Sequence, residues 1–459
     1  MNCDKKENGV SKIENVSNIE INGVLYEEIY EPDTCKAKFV FYDDQNQMIR
    51  ETDYIEEGDI RYVPIVDDFV KKRVVTLPRR AEPYESEDKL LEEIQNYINE
   101  YIDISPRDEQ ICAWTIPTFW LYDKLNTPLP YLRVLGDTGC GKSRFLDVVG
   151  GISYKPLMLG GSVTPAIMYR VAEKWKGTMI IDEADWKQTD EYAEVIKIIN
   201  SNQPNRPILR CRSDNYDKIE AFDAWCPRIF ATRRVFQDPA VESRMLTIQM
   251  KETSRDDIPI VLDDKFREKQ ERIRNKLLFY RLKNWSRITS NIKPQIDLKK
   301  VEPRLKQIIY PIAIVFNHKQ EILESLAQTA REKTNEMIEE RASTLDGRII
   351  NAYLQLLDSG HVNITANNIA QVLEKQGYKK INSRTIGHRM KSFGFRNEVK
   401  NIGKETKRCY IPDEKLIQTL RNRYYLATPA KDFDRKQDLR KYKRLRWIKN
   451  KIKDVIKTR

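Results

Sequence analysis

The sequence predicts an α/β protein built around a phosphate-binding core, and two motifs and their setting predict it. Tyr131 to Ser143 reads YLRVLGDTGCGKS: a short apolar strand breaks into Gly136-Asp-Thr-Gly-Cys-Gly141-Lys142-Ser143, the full G-x-x-x-x-G-K-[ST] pattern. Further on, Gly177-Thr-Met-Ile-Ile-Asp182-Glu183 is a second apolar strand that ends in paired carboxylates. Strand-like and helix-like runs alternate around both, as in a layered α/β core.

Each element of the core has a chemical reason. Glycines let the loop turn tightly enough for the backbone of Gly136, Asp137, Thr138, Gly139, Cys140 and Gly141 to wrap phosphate oxygens, and the helix opening at Lys142 adds its positive end. Lys142 is placed to bridge the β- and γ-phosphates and Ser143 to offer its hydroxyl to Mg²⁺. Asp182, at the carboxyl end of a strand expected beside the phosphate loop, completes the Mg²⁺ shell, and Glu183 is the candidate base for the attacking water. ATP and Mg²⁺ are therefore the expected ligands.

Composition bounds the setting. The chain of 459 residues is long enough for several domains, and 80 Lys and Arg against 69 Asp and Glu give a net charge of +11, which suits a polyanionic partner. Seven cysteines without a C-x-x-C pair and only three histidines argue against a disulfide framework or a zinc site. No apolar run spans a bilayer and the N-terminus is polar, so the expectation is a cytoplasmic protein with no membrane partner.

In chain order, residues 1–18 read as a loose, polar N-terminus. Residues 19–77 read as a small β-rich domain, with strands at Val24-Leu-Tyr, Lys38-Phe-Val-Phe-Tyr, Arg61-Tyr-Val-Pro-Ile-Val and Arg73-Val-Val-Thr-Leu separated by turn residues. Residues 78–86, with Pro78 and Pro83, read as a linker. Helices are expected over about Glu87–Tyr101 and Arg107–Leu125, the second behind Ser105-Pro106, and another behind Thr164-Pro165. Pro207–Arg212 and Lys218–Phe222 form a hairpin across Ser213–Asp217, with Arg210, Arg212 and Lys218 on or near it. Pro227-Arg-Ile-Phe-Ala-Thr232 is a buried strand with a polar end, and Glu242-Ser-Arg244 precedes one more strand.

This order resembles the AAA+ ATPase module over about residues 105 to 340. The insertion before the Thr232 strand is similar to that of the pre-sensor-1 hairpin clade, which includes minichromosome maintenance helicases and helicase-like ATPases of phages, plasmids and other mobile elements. The resemblance implies that Thr232 is sensor 1, that Arg244 is the arginine finger reaching a neighbouring subunit, and that Arg304 is sensor 2 at the head of a lid helix. Arg233 and Arg234 are rivals for the finger. On this basis residues 87–253 are the AAA+ core with its preceding helices and 254–341 a helical lid. An arginine finger implies a homo-oligomer, expected to be a hexameric ring.

Residues 345–425 give helices at Gly347–Leu357, Ala366–Glu374 and Arg384–Ser392, then strands at Phe395–Val399 and Arg408–Ile411. That order resembles a winged helix-turn-helix domain. Its third helix carries Arg384, His388, Arg389 and Lys391, side chains that reach phosphates and base edges. Residues 430–459 form a Lys- and Arg-rich tail with Tyr442 and Trp447 interleaved, suited to nucleic acid. The sequence thus implies an ATP-dependent DNA helicase of a mobile element, with single-stranded DNA in its pore, duplex at the winged helix and other replication proteins as further partners. The competing reading is an initiator in which ATP only switches assembly. A protein-remodelling machine lacks an aromatic-apolar pore loop here.

Overall fold

The chain begins its regular structure with a run of short alternating strands. The computed structural model describes residues 12–160, 163–182, 190–201, 203–211, 218–378, 381–402 and 405–424. These fall into two compact units, one ending at Ala330 and the other beginning at Arg331.

In the first unit, β1 (Lys12–Asn15), β2 (Asn18–Ile21), β3 (Val24–Glu31), β4 (Lys36–Asp43), β5 (Met48–Thr52), β6 (Ile55–Glu57) and β7 (Ile60–Val63) make two small sheets, ordered β2-β3-β4-β5 and β1-β7-β6. Asn22 and Gly23, at φ 51° and 80°, supply the two left-handed positions that a tight hairpin between β2 and β3 requires. Lys12–Asn15, expected to be loose, is a strand because its backbone pairs in parallel with β7; Ile13 stays 63% exposed, so no burial pattern announces it. Conversely Arg73–Leu77 is not a strand. A short helix α1 (Asp68–Lys71), capped by Asp67, precedes it, and Val75 makes a single bridge to Leu157.

Pro78–Pro83 is strapped to the rest of the unit: Arg79 N donates to Asn275 Oδ1 at 3.2 Å and Glu82 N to Asn275 O at 3.0 Å. α2 (Glu87–Tyr101) and α3 (Pro106–Trp120) follow, capped by Ser86 and Ser105. The second ends five residues before the expected Leu125, and Tyr122–Lys124 forms a separate tight turn.

The central sheet holds β8 (Tyr131–Leu135), β9 (Leu157–Leu159), β10 (Met179–Ile181), β13 (Arg228–Thr232) and β14 (Met245–Gln249) in the order β14-β8-β13-β10-β9, all parallel. Its crossovers carry α4 (Lys142–Phe145), which runs on into a wider turn over Leu146–Gly150, α5 (Pro165–Trp175), α6 (Asp190–Asn200) and α7 (Pro239–Glu242). β11 (Ile208–Cys211) and β12 (Ile219–Phe222) form an antiparallel hairpin inserted between α6 and β13. α8 (Asp264–Asn284), α9 (Pro303–Val315) and α10 (Gln320–Ser343) follow. One continuous core joins Leu25, Ile29 and Val40 of the N-terminal strands to Leu132 and Val134 of β8 and Leu277 of α8.

The second unit packs α11 (Leu345–Asp358), α12 (Ala366–Lys375), α13 (Ser383–Ser392) and α14 (Glu414–Tyr424) with the antiparallel pair β15 (Asn397–Ile402) and β16 (Glu405–Tyr410). Thr365 and Asn368 form a reciprocal capping box on α12, and Asn382 caps α13. Tyr353, Ile386, Met390, Phe395 and Tyr410 lie in its core. Among the described residues, no helix is long and apolar enough to cross a membrane.

Candidate functional site

The glycine-rich loop leaves the carboxyl end of β8 and turns directly into α4. Gly139 and Gly141 sit at φ 87° and 92°, where a side chain would be strained. Gly136 is required by space instead: a Cβ there would stand 2.6 Å from both Cys140 Sγ and Met250 O. Asp137, Thr138 and Gly139 are exposed at the tip, while Cys140 is buried beneath it. Lys142 Nζ donates to the loop's own Asp137 O at 2.6 Å, which holds the ammonium over the turn.

Ser143 Oγ donates to Asp182 Oδ2 at 2.9 Å, so the two candidate metal-binding groups meet although they lie 39 residues apart. In strand order β13 lies between the Asp182 strand and the phosphate-loop strand. That places the end of β13 between the loop and Asp182. Thr232 closes β13 opposite Leu135; it is 1% exposed, and its Oγ1 has no hydrogen-bond partner among the described residues. Such a hydroxyl costs free energy unless something binds it. Asp147, one helical turn beyond Ser143, was not singled out from the sequence. Partial desolvation and the Asp182 charge push its carboxyl above the ordinary range. Glu183 lies outside the described residues.

The candidate arginines separate by position. Arg233 and Arg234 follow β13 and are exposed at the carboxyl edge of the sheet, where the phosphate loop is. Arg244 precedes β14, and its carbonyl accepts from Tyr131 N at 3.0 Å, so it stands at the opposite edge. Five strand steps of about 3.3 Å separate it from the level of Leu135, about 16 Å in all and beyond an arginine's reach. Its guanidinium donates to Asn200 Oδ1 and to Ala240 O. Burial pulls its pKa below the ordinary value, and the nearby Arg304 and Arg228 add to that. Arg304, second residue of α9, donates from Nε to Ser243 Oγ at 3.2 Å and from Nη1 to Gln307 at 2.6 Å. It shares the Arg244 edge and is not at its own chain's phosphate loop.

α8 is tied to the phosphate-loop helix. Gln270 Nε2 donates to Asp147 O and Arg274 Nη1 to Gly151 O, each at 2.8 Å.

The hairpin gives a mixed result. Arg210 turns inward, paired with Glu194 at 3.2 Å and lying 5.5 Å from the Tyr169 ring, so it does not project freely toward a strand of nucleic acid. Strand alternation explains this: Ile208, Arg210, Glu220 and Phe222 share the packed face, while Leu209 and Ile219 are 62% and 66% exposed on the other. Lys218 is exposed, and Arg212 lies outside the described residues. In the second unit Arg384, His388 and Lys391 are exposed on α13 with Ile386 and Met390 buried behind them; Arg389 is exposed but pairs with Asp346 at 3.3 Å. β15 and β16 bring Lys400 opposite Lys407 and Val399 opposite Arg408, with Lys400 also paired to Glu398 and Lys407 to Glu405; the sequence placed Lys400–Lys407 in the connection between two strands, and the structure carries both strands into it. The tail over 430–459 lies outside the described residues. Among the described residues no group of three or more His, Cys, Asp or Glu side chains is arranged to hold a metal.

No family model matches the chain, and no curated protein does. Solved structures similar to it include the apo NrS-1 C-terminal region (305–718), at 13% identity and a TM-score of 0.39 over 84% of each chain. Another is the SCCmec type IV Cch helicase, at 10% identity and a TM-score of 0.35 over 89% of this chain and 81% of that one. Likeness this loose fixes neither fold nor function; the chain's own parallel sheet and loop geometry define it as an α/β protein with a phosphate-loop-like core.

Proposed function

We propose that this chain is an ATP-dependent DNA motor of the AAA+ type, working as a ring, most simply a hexamer, in which ATP is hydrolysed between subunits. The observation that carries the reading is the meeting of Ser143 and Asp182 beside a tight glycine loop at the carboxyl edge of the parallel sheet. Hydroxyl and carboxylate oxygens are the hard ligands Mg²⁺ prefers. Bound between them with ATP, the ion would neutralise phosphate charge. Lys142 would release Asp137 O to reach the phosphates, the unpartnered Thr232 hydroxyl would hold the γ-phosphate or its attacking water, and Glu183 would take that water's proton. Arg244, unable to reach its own loop, is assigned to the neighbour's γ-phosphate ahead of Arg233 and Arg234, with Arg304 beside it acting across the same interface. The α11–α13 bundle with its β15–β16 hairpin is assigned as a winged helix that holds duplex DNA.

A second reading has one specific observation in its favour. The hairpin's inward Arg210 and apolar outer face suit protein packing better than a grip on DNA, as in an initiator whose ATP switches assembly. The test is steady-state ATP turnover with and without single-stranded DNA, run beside strand displacement from a forked duplex by wild type and Glu183→Gln. DNA-stimulated turnover with strand release, both abolished in Glu183→Gln, supports the motor. Duplex binding with slow hydrolysis and no release supports the initiator. Absence of any Mg²⁺-dependent hydrolysis refutes the motor, and absence of ATP binding refutes both.

A further inference from the structure

Arg133 occupies the middle of β8, three residues before Gly136, and is 2% exposed inside a parallel sheet. A guanidinium in that position is costly unless paired, and an aliphatic residue would fill the strand without the cost. Its partner is Glu242: Nη1 meets Oε2 at 2.5 Å and Nη2 meets Oε1 at 2.6 Å, a bidentate pair, and Nη2 also donates to Thr247 Oγ1 at 2.7 Å on the adjacent strand. Glu242 accepts in addition from Phe236 N at 2.9 Å, which closes the turn around it. It ends α7, two residues before Arg244.

The phosphate-loop strand therefore grips, through buried Arg133 and half-buried Glu242, the turn that presents Arg244. Replacing buried ion pairs by apolar residues is often neutral or stabilising, so stability gives no reason for this one; what a bidentate pair adds is a fixed geometry. Two further contacts fix the same arginine from the other side, its backbone on Tyr131 N and its guanidinium on Asn200, the last residue of α6. We infer that Arg133 and Glu242 are a positioning pair that holds Arg244 in register for a neighbouring subunit's nucleotide. Each chain thereby ties the strand leading to its own phosphate loop to the arginine it lends. This inference rests on the proposed intersubunit site.

The test uses full-length protein with Mg²⁺-ATP and subunit mixing. Glu242→Gln, checked for folding by its thermal melt, is expected to lower kcat on the order of 10²-fold, as small misplacements of reacting groups do, with KM and the affinity for a fluorescent ATP analogue unchanged. Mixed with Lys142→Ala, which has a defective loop but an intact Arg244 turn, it is expected to regain turnover well above either variant alone. The Lys142→Ala and Arg244→Ala mixture is the control. If the control regains turnover and the Glu242→Gln mixture does not, the defect lies in its own site and the inference is overturned; wild-type kcat in Glu242→Gln overturns it as well. If the control itself regains nothing, the intersubunit reading falls and takes the inference with it. Should Glu242→Gln fail to fold, the Arg133→Met, Glu242→Met double variant, which leaves no unpaired charge, is read by the same outcomes.

Discussion

Arg281 in α8 is the most consequential buried charge in the first unit. It is 0% exposed and donates to Glu27 at 2.7 Å, to both Asp123 oxygens at 2.8 and 2.6 Å and to Trp120 O at 2.5 Å. Lys155, 1% exposed, meets the other Glu27 oxygen at 3.0 Å, and Tyr154 OH donates to Glu27 at 2.8 Å. Two cations face two anions, so the cluster is neutral as built. Arg281→Met strips one cation and strands Asp123 and half of Glu27, a change that costs about 3–5 kcal/mol when a buried pair is broken from one side. At about 2 °C per kcal/mol for a unit of this size, the melting temperature should fall by about 6–10 °C. Lys276→Met removes the partly exposed pair with Glu93, at 2.7 Å, and is the comparison, expected within about 1 kcal/mol of wild type. The assay is near-ultraviolet circular dichroism against temperature for the full chain. A shift for Arg281→Met no larger than that for Lys276→Met would refute the reasoning.

Glu28 is 0% exposed beside this neutral cluster, and its carboxylate oxygens meet no hydrogen-bond partner among the described residues; burial pushes its carboxyl well above the ordinary value of 4.5. Its folded-state proton contributes stability below that ordinary value, which is lost as pH rises through the raised one. Glu28→Gln should therefore match wild type near about pH 4 and exceed it by about 1–3 kcal/mol near about pH 8, read from urea midpoints at each pH. Equal midpoints throughout would show that Glu28 is solvated. Gly136→Ala should abolish binding of a fluorescent ATP analogue while leaving the melt of the second unit intact, because its Cβ would collide with Cys140 Sγ and Met250 O. Retained affinity would mean the loop has slack that its geometry denies. Arg384→Ala with Lys391→Ala should weaken duplex binding and reduce the slope of log K against log salt by about 0.9 per lost phosphate contact. An unchanged slope would remove α13 from the DNA surface.

Much of the core was legible because it is local. The glycine spacing, the carboxylate-ended strand and the Ser105-Pro106 helix start are contiguous signals, and the structure places loop, Ser143 and Asp182 together. Strand order was not legible: nothing in the Asp182 strand says that β13 separates it from β8, because order is set by crossovers. The inward turn of Arg210 was missed because its partner Glu194 lies on the preceding helix, and the two-residue alternation of β11 had to be read with its packed face known. Arg133 did leave a trace, as a charge interrupting an apolar strand, and its partner 109 residues on supplies the meaning. Arg73–Leu77 had a strand's composition but meets the edge of β9 at a single antiparallel bridge, where Thr76 N donates to Pro156 O and Met158 N to Val74 O while Val75 packs with Leu157 and Trp175.

The cluster around Arg281 also decides where this chain can be cut. Sequence suggests trimming before Pro78, at a proline-rich stretch between a β-rich segment and the helices. Such a cut would take Glu27 away and leave Lys155 and Arg281, both at the floor of the unit, with Asp123 as the only anion of the four still in place. The resulting protein would fail for lack of a counter-charge, and its lost activity would be misread as proof that the N-terminal strands act on nucleotide or DNA. The division between the two compact units, at Ala330 and Arg331, falls inside α10 (Gln320–Ser343), so a cut there would instead break a continuous helix.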